Sequence, residues 1–293
     1  MVLIGSTSQF VDLRLPFPTY RNPSEIGPCA FHAGERIATH APMKSNDLFA
    51  SSRYQIALAA CLVNQLESNA NPDKKTEQTS LIARSGTHLI NAWSDNLHSR
   101  ICRSLAERWS VCVSNQTLRD LEMNNLNVLY TGSETPDSVR IAAWVALLAH
   151  RAGLTSVSRR QMIFAGLCHR LGHPIDRQIH LAEAQRLTLA ILTANKPIPE
   201  LVHGTILHCR ERLDGLGQPY GIDGKRIPVG AQLLGLAIDL DEYLSSLKNL
   251  RGLETSLPEF LRSMSNRYDT RWLDMLAQTM DSDNLAPRIR TTP

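Results

Sequence analysis

From residue 136 on, apolar residues recur at i, i+3, i+4, i+7 and i+8 in one segment after another, and this period constrains the fold more than any other feature. In "PDSVRIAAWVALLAHRAG" the set is Val139, Ala142, Ala143, Ala146 and Leu147, which a helix turns into one buried face. Pro136, Asp137 and Ser138 mark the start of that helix and Gly153 marks its end. "SRRQMIFAGLCHRLGHP" predicts the next helix, stopped by Gly172 and Pro174. "RQIHLAEAQRLTLAILTAN", "IPELVHGTILHCRERL", "IPVGAQLLGLAIDLDEYLSSL", "SLPEFLRSMS" and "YDTRWLDMLAQTM" carry the same period. Strands at two-residue alternation are absent from this half, so the expected fold class is all-α.

The remainder of the chain is less periodic. The first 50 residues, with prolines at 16, 18, 23, 28 and 42, read as irregular, and "FVDLRL" (10–15) is the best strand candidate. Helices are expected from "SSRYQIALAACLVNQLES", "SLIARSGTHLINAW" and the stretch from about Leu97 to Met123, with "NANPDKKTEQT" (69–79) as a loop. The domain reading is therefore 1–125, a region mostly helical after residue 50; 126–285, a helical bundle; and 286–293, a tail.

Charge and cysteine use exclude several classes. A formal net charge of +3 shows no polyanion-binding excess, so nucleic acid is not an expected partner. The start lacks a basic n-region and no apolar run reaches spanning length, so the expectation is a cytoplasmic protein that does not enter a membrane. Six cysteines sit far apart without a CxxC pair and read as reduced core thiols.

One stretch departs from the helical pattern. "HCRERLDGLGQPYGIDGKRIP" (208–228) holds four glycines, two prolines and seven charged residues. Gly215, Gly217, Gly221 and Gly224 permit backbone paths or close approaches closed to other residues, and Pro219 fixes a bend, so a compact loop between two helices is expected.

The order "AGLCHRLGHP" (165–174), then this loop with the helix after it (206–244), then "YDTRWLDML" (268–276) resembles the HD-GYP family of helical metallophosphodiesterases. The family signatures run roughly A-x-L-H-D-I-G-K and H-H-E-R-W-D-G-x-G-Y-P-x-G-L-x-G-x-x-I-P. Glu211, Arg212, Asp214, Gly215, Gly217, Pro219, Gly221, Gly224, Ile227 and Pro228 keep that register. The resemblance covers about residues 126–285 and implies a helical bundle around a site for cyclic di-GMP, a bacterial second messenger.

The same resemblance implies that the metal site is dismantled. His169 stands at the first His of the His-Asp pair, but Arg170 replaces the bridging Asp. Asp137, Cys209, Arg210 and Ile238 occupy further ligand positions, and Gln218 replaces the Tyr of the family name. The segment between the signatures is also short for the family's loop and its histidine. Arg and Ile cannot ligate at neutral pH. His169 and His173 share a helix face and could keep one metal with Asp137, His208, Asp239 or Asp241; the structural alternative makes His169 a hydrogen-bonded core residue and His173 a helix-end residue. Glu211, Arg212 and Asp214 could bind a guanine edge or phosphate, or could hold the loop together. Arg170 and Arg210 could retain phosphate binding without hydrolysis.

The expected function is accordingly a catalytically degenerate HD-GYP-like protein acting by binding. Its partner would be a cyclic dinucleotide or a signalling protein such as a diguanylate cyclase, and the surface Arg170, Arg210, Glu211, Arg212, Asp214, Gly217, Gln218 and Pro219. No catalytic residue and no cofactor are expected. The alternatives are an active phosphodiesterase with iron or manganese at an altered site, and a structural interaction module.

Overall fold

The computed structural model describes residues 2–6, 15, 19–20, 29–31, 33, 47–50, 54–68, 75–120, 128–131, 135–173, 181–194, 196–247 and 253–280. Its helices are α1 Gln55–Ser68, α2 Lys75–Ser94, α3 Arg100–Asp120, α4 Val128–Thr131, α5 Asp137–Arg151, α6 Ser156–Cys168, α7 Leu181–Thr193, α8 Glu200–His208, α9 Val229–Ser246, α10 Leu253–Met264 and α11 Thr270–Met280. Four short strands precede them: β1 Val2–Ser6, β2 Thr19–Tyr20, β3 Cys29–Phe31 and β4 Asp47–Ala50. They form an antiparallel sheet in the order β1-β4-β2-β3. Among the described residues the all-α class holds from 54 to 280, and short strands stand within the first 50, where irregular structure was expected. The strand expected at 10–15 falls, apart from Leu15, outside the described residues, as does the tail 286–293. α2 begins at Lys75, inside the loop expected over 69–79, because Gln78 and Thr79 are drawn into the core.

α5 is the central helix. The expected stripe of Val139, Ala142, Ala143, Ala146 and Leu147 is buried, and so are Ile141, Trp144, Val145, Leu148 and Ala149 on its other sides. It is covered by α3, α6 and α9. Asp137 in its first turn and Arg151 in its last suit the helix dipole. Its end is a Schellman motif, with Gly153 N–H donating to His150 O at 3.0 Å and Leu154 N–H to Ala149 O at 3.0 Å. Gly153, at φ 71°, supplies the left-handed residue this motif needs.

Close approaches then set the site. A Cβ on Gly166 would stand 3.0 Å from Ala142 Cα, so glycine lets α6 lie tightly on α5. At the end of α6, the Gly172 N–H donates to Thr188 Oγ1 at 2.8 Å, docking that turn on α7. A Cβ on Gly235 would stand 2.5 Å from Cys209 O, which brings α9 under the end of α8.

The N-terminal helices share this core, and Trp93, Trp109 and Trp144 are all fully buried. Trp109 Nε1–H donates to Ser85 Oγ at 3.0 Å between α3 and α2. Arg103 of α3 caps the far side, donating to the carbonyls of Leu192 and Lys196, each at 2.6 Å, and of Pro197 at 3.0 Å. These three acceptors lie at and beyond the end of α7, so a guanidinium serves as its C-cap. Cys61, Cys102, Cys112, Cys168 and Cys209 are free thiols. No helix of the described residues is long and apolar enough to cross a membrane.

Candidate functional site

The loop between α8 and α9 is organised by Glu211. This side chain is buried, with Oε1 accepting from Tyr220 N–H at 2.8 Å and Oε2 from Ile222 N–H at 3.1 Å. Gln218 N–H donates to Arg210 O at 3.1 Å, closing the loop on its own start. Gly217 must be glycine for space: a Cβ there would lie 2.4 Å from both Glu211 Cα and Arg212 N. Arg212 pairs with Asp214, whose Oδ1 also accepts from Leu216 N–H at 3.0 Å. Of the two roles open to these residues, holding the loop is the one their contacts fulfil. Leu216 and Tyr220 project from it, 74% and 54% exposed. A cavity of about 260 Å³ lies beside it between Leu213, Ile227, Val229, Gln232 and Arg271.

The residues at the ligand positions implied by the resemblance come from the start of α5, the ends of α6 and α8, and the middle of α9. His169 caps α6, and its Nδ1 lies 2.7 Å from Gly166 O. A carbonyl only accepts, so Nδ1 carries the proton and Nε2 keeps its lone pair. Nε2 is buried and has no hydrogen-bond partner among the described residues. Arg170 reaches back to Asp137 at the start of α5. Arg210 Nη1 lies 3.6 Å from Asp239 Oδ1 and its Nη2 3.3 Å from Glu242 Oε1. Cys209 and Ile238 are buried, and Cys209 Sγ accepts from Gln185 Nε2 at 3.3 Å.

The titration behaviour of these groups follows from this neighbourhood. Burial pushes the His169 imidazole down to about 3, opposed by the Gly166 carbonyl and Asp137 and aided by Arg210 and Arg170. Burial also lowers His173, again with Arg170 and Arg210 pushing the same way. The fields of both guanidiniums therefore reach both imidazoles. Burial raises the Cys209 thiol, which keeps it protonated and a poor ligand.

The remaining candidates are engaged elsewhere. His208 packs against Tyr220 with tilted rings, centroids 5.7 Å apart, and its titratable neighbours are Glu211 and His203. It belongs with the loop, not with His169. Asp239 Oδ2 accepts from Arg267 Nη1 at 2.7 Å and Tyr268 O–H at 2.8 Å. Asp241 is bound bidentately by Arg140, at 2.8 and 2.9 Å, and by Tyr130 O–H at 2.6 Å. Arg140, Tyr130, Gln185, Arg267 and Tyr268 are site-forming residues that the sequence reading did not identify. Burial raises the Tyr268 hydroxyl well above its ordinary value, with the Asp239 charge adding to the effect.

A divalent metal pair does not fit this donor set. It offers the imidazoles of His169 and His173, a carboxylate already held by arginine, a buried thiol, an isoleucine and two cations. Among the described residues, no three His, Cys, Asp or Glu side chains are grouped to hold a metal ion.

Residues 117–275 match the HD domain family, which is more than half the chain, and the protein belongs to that family. Its fold is similar to that of Bd1817, a HDG"Y"P protein from Bdellovibrio bacteriovorus. The TM-score is 0.65 at 12% identity, over 96% of this chain and 99% of that one. No curated protein matches the sequence.

Proposed function

We propose that this chain is a catalytically degenerate HD-GYP-like protein of bacterial cyclic-dinucleotide signalling, working in the cytoplasm by binding and not by hydrolysis. The observation that carries the reading is the pairing of Arg170 with Asp137 and of Arg210 with Asp239 and Glu242, where the family places metal ligands. A guanidinium about 4 Å from a divalent cation is repelled by roughly 8 kcal/mol at an effective dielectric of about 20, before it swings away. Without metals, nothing here lowers the pKa of a water or clamps the phosphate oxygens for attack. What survives is a shaped loop with Leu216 and Tyr220 exposed and, near His169, two arginines, a surface suited to cyclic di-GMP or to a signalling protein such as a diguanylate cyclase.

A second reading, residual phosphodiesterase activity with iron or manganese, draws on the buried lone pair of His169 Nε2. Elemental analysis of purified protein, with cyclic di-GMP hydrolysis measured after manganese or iron loading, separates the two. The expected result is no stoichiometric metal pair and no turnover, with Arg170→Asp failing to restore activity because Cys209, Arg210 and Ile238 remain. Two bound metals with turnover in the wild type would overturn it.

A further inference from the structure

We propose that the cavity between the glycine loop, the start of α9 and the start of α11 binds a free α-amino acid with an apolar side chain, its carboxylate on Arg271 and its ammonium on Asp269. None of the cavity's residues belongs to the group around His169, so the inference goes beyond the binding reading above and does not depend on it.

The cavity measures about 260 Å³ and is walled by Leu213, Gly224, Ile227 and Val229, with Gln232, Asp269 and Arg271. Gly224 keeps it open, since a Cβ there would meet nothing within 4 Å. Gln232 is fixed in the wall, its Nε2–H donating to Ile227 O at 3.2 Å and its Oε1 accepting from Trp272 Nε1–H at 3.1 Å. Val229 remains 38% exposed, apolar surface that a ligand in the cavity would cover. An apolar hollow of about 150 Å³ admits benzene. This one takes a leucine or phenylalanine side chain together with the backbone atoms that carry it.

The charged rim selects the ligand class. Asp269 caps α11: Trp272 N–H donates to its carbonyl oxygen at 2.9 Å and Arg271 N–H to its Oδ1 at 3.0 Å. The cap sets the Asp269 carboxylate beside the Arg271 side chain, whose Nε lies 3.2 Å from Oδ2. The guanidinium also lies over the Trp272 ring, 4.2 Å from its centroid. One edge and one face of it are thus fixed, while the Nη1–Nη2 edge has no hydrogen-bond partner among the described residues. That free edge matches the two oxygens of a carboxylate. The two rim charges are adjacent and cancel. A dianion is repelled by Asp269 and a simple amine by Arg271, whereas an amino acid carries both charges on one carbon and meets each with its opposite. Cap and stack hold the rim in place beforehand, which lowers the ordering that binding requires.

The test is isothermal calorimetry on the full chain with L-leucine and L-phenylalanine as probes, and amide NMR to place them. Wild type should bind one of the two with a Kd on the order of 0.1–1 mM, shifting the amides of Gly224, Val229 and Arg271. Arg271→Ala, at a side chain 57% exposed, should weaken binding about tenfold or more. Asp269→Asn keeps an oxygen for the Arg271 N–H, and so the cap, and should weaken it about fivefold. Isocaproate, which lacks the ammonium, should bind about fivefold more weakly than L-leucine, and glycine, which lacks the side chain, more than about tenfold more weakly. Arg170→Ala should change nothing, which separates this site from the residues around His169. Should a variant lose its fold, the comparison of probes on wild type still decides. No binding of either amino acid at about 10 mM, isocaproate binding as tightly as L-leucine, or affinities indifferent to both rim substitutions would overturn the proposal.

Discussion

Replacing Glu211 by glutamine isolates the carboxylate that shapes the glycine loop. The native side chain is wholly enclosed, and each of its oxygens takes one backbone N–H, from Tyr220 at 2.8 Å and Ile222 at 3.1 Å. Glutamine matches the shape but has one acceptor oxygen and an NH2 group. Whichever way the amide turns, one loop N–H loses a charge-assisted bond, about 1.5–3 kcal/mol, and faces another donor. Some of the loss is recovered if the loop opens to water, so the net expectation is about 2 kcal/mol. For a chain of this size that lowers Tm by roughly 4–8 °C. Urea unfolding gives the total, and hydrogen exchange localises it. The amides of Tyr220 and Ile222 should lose protection while those in the middle of α5 and α9 keep theirs, because loop opening is a local event. Arg212→Ala is the comparison: its pair with Asp214 is partly exposed and should cost under about 1 kcal/mol. A loss below about 1 kcal/mol for Glu211→Gln, with the two amides still protected, would refute the assignment of Glu211 as the organiser of the loop.

Stability should depend on pH through the buried imidazoles. Burial holds His169 near 3 in the folded chain, below the ordinary 6.5, and lowers His173 and His208 as well. The unfolded chain thus binds protons that the folded one refuses. Stability is full above about pH 6.5 and is lost as pH falls from there, with His169 alone giving up to about 1.4 kcal/mol per pH unit. Urea midpoints between pH 7.5 and 5 that do not decline would contradict its burial as a neutral ring. Chelation should leave Tm unchanged, since ion pairs stand at the ligand positions; a drop after EDTA that manganese or zinc reverses would show a structural metal.

The helices were legible in the sequence because each carries its own period and stop signals. α5 illustrates the limit: its stripe was readable, but its burial on every side depends on α3, α6 and α9 and has no local mark. The loop was legible because glycine is demanded by contacts within the loop itself, such as Gly217 against Glu211 and Arg212. Side-chain partners were not. Arg170 finds Asp137 33 residues back and Arg140 finds Asp241 101 residues on, separations at which spacing carries no information. The sheet was missed for another reason, since strands of two to five residues among prolines give too few alternations to register.

Ion pairs join helices at the positions where the resemblance implies metal ligands. Coordination in this family, as the resemblance implies, joins the ends of several helices to a common centre. Here Arg170 and Asp137 join the end of α6 to the start of α5, and Arg210 joins the loop to α9. Arg267 and Tyr268 bring the turn before α11 to Asp239, while Arg140 and Tyr130 bring α5 and α4 to Asp241. These links are unequal. The exposed Arg170 pair contributes little and can exchange partners, whereas breaking the enclosed Arg140–Asp241 pair from one side would cost about 3–5 kcal/mol by leaving a buried charge alone. The enclosed links therefore hold α9 to its neighbours, and the exposed Arg170–Asp137 pair at the start of α5 adds little to them.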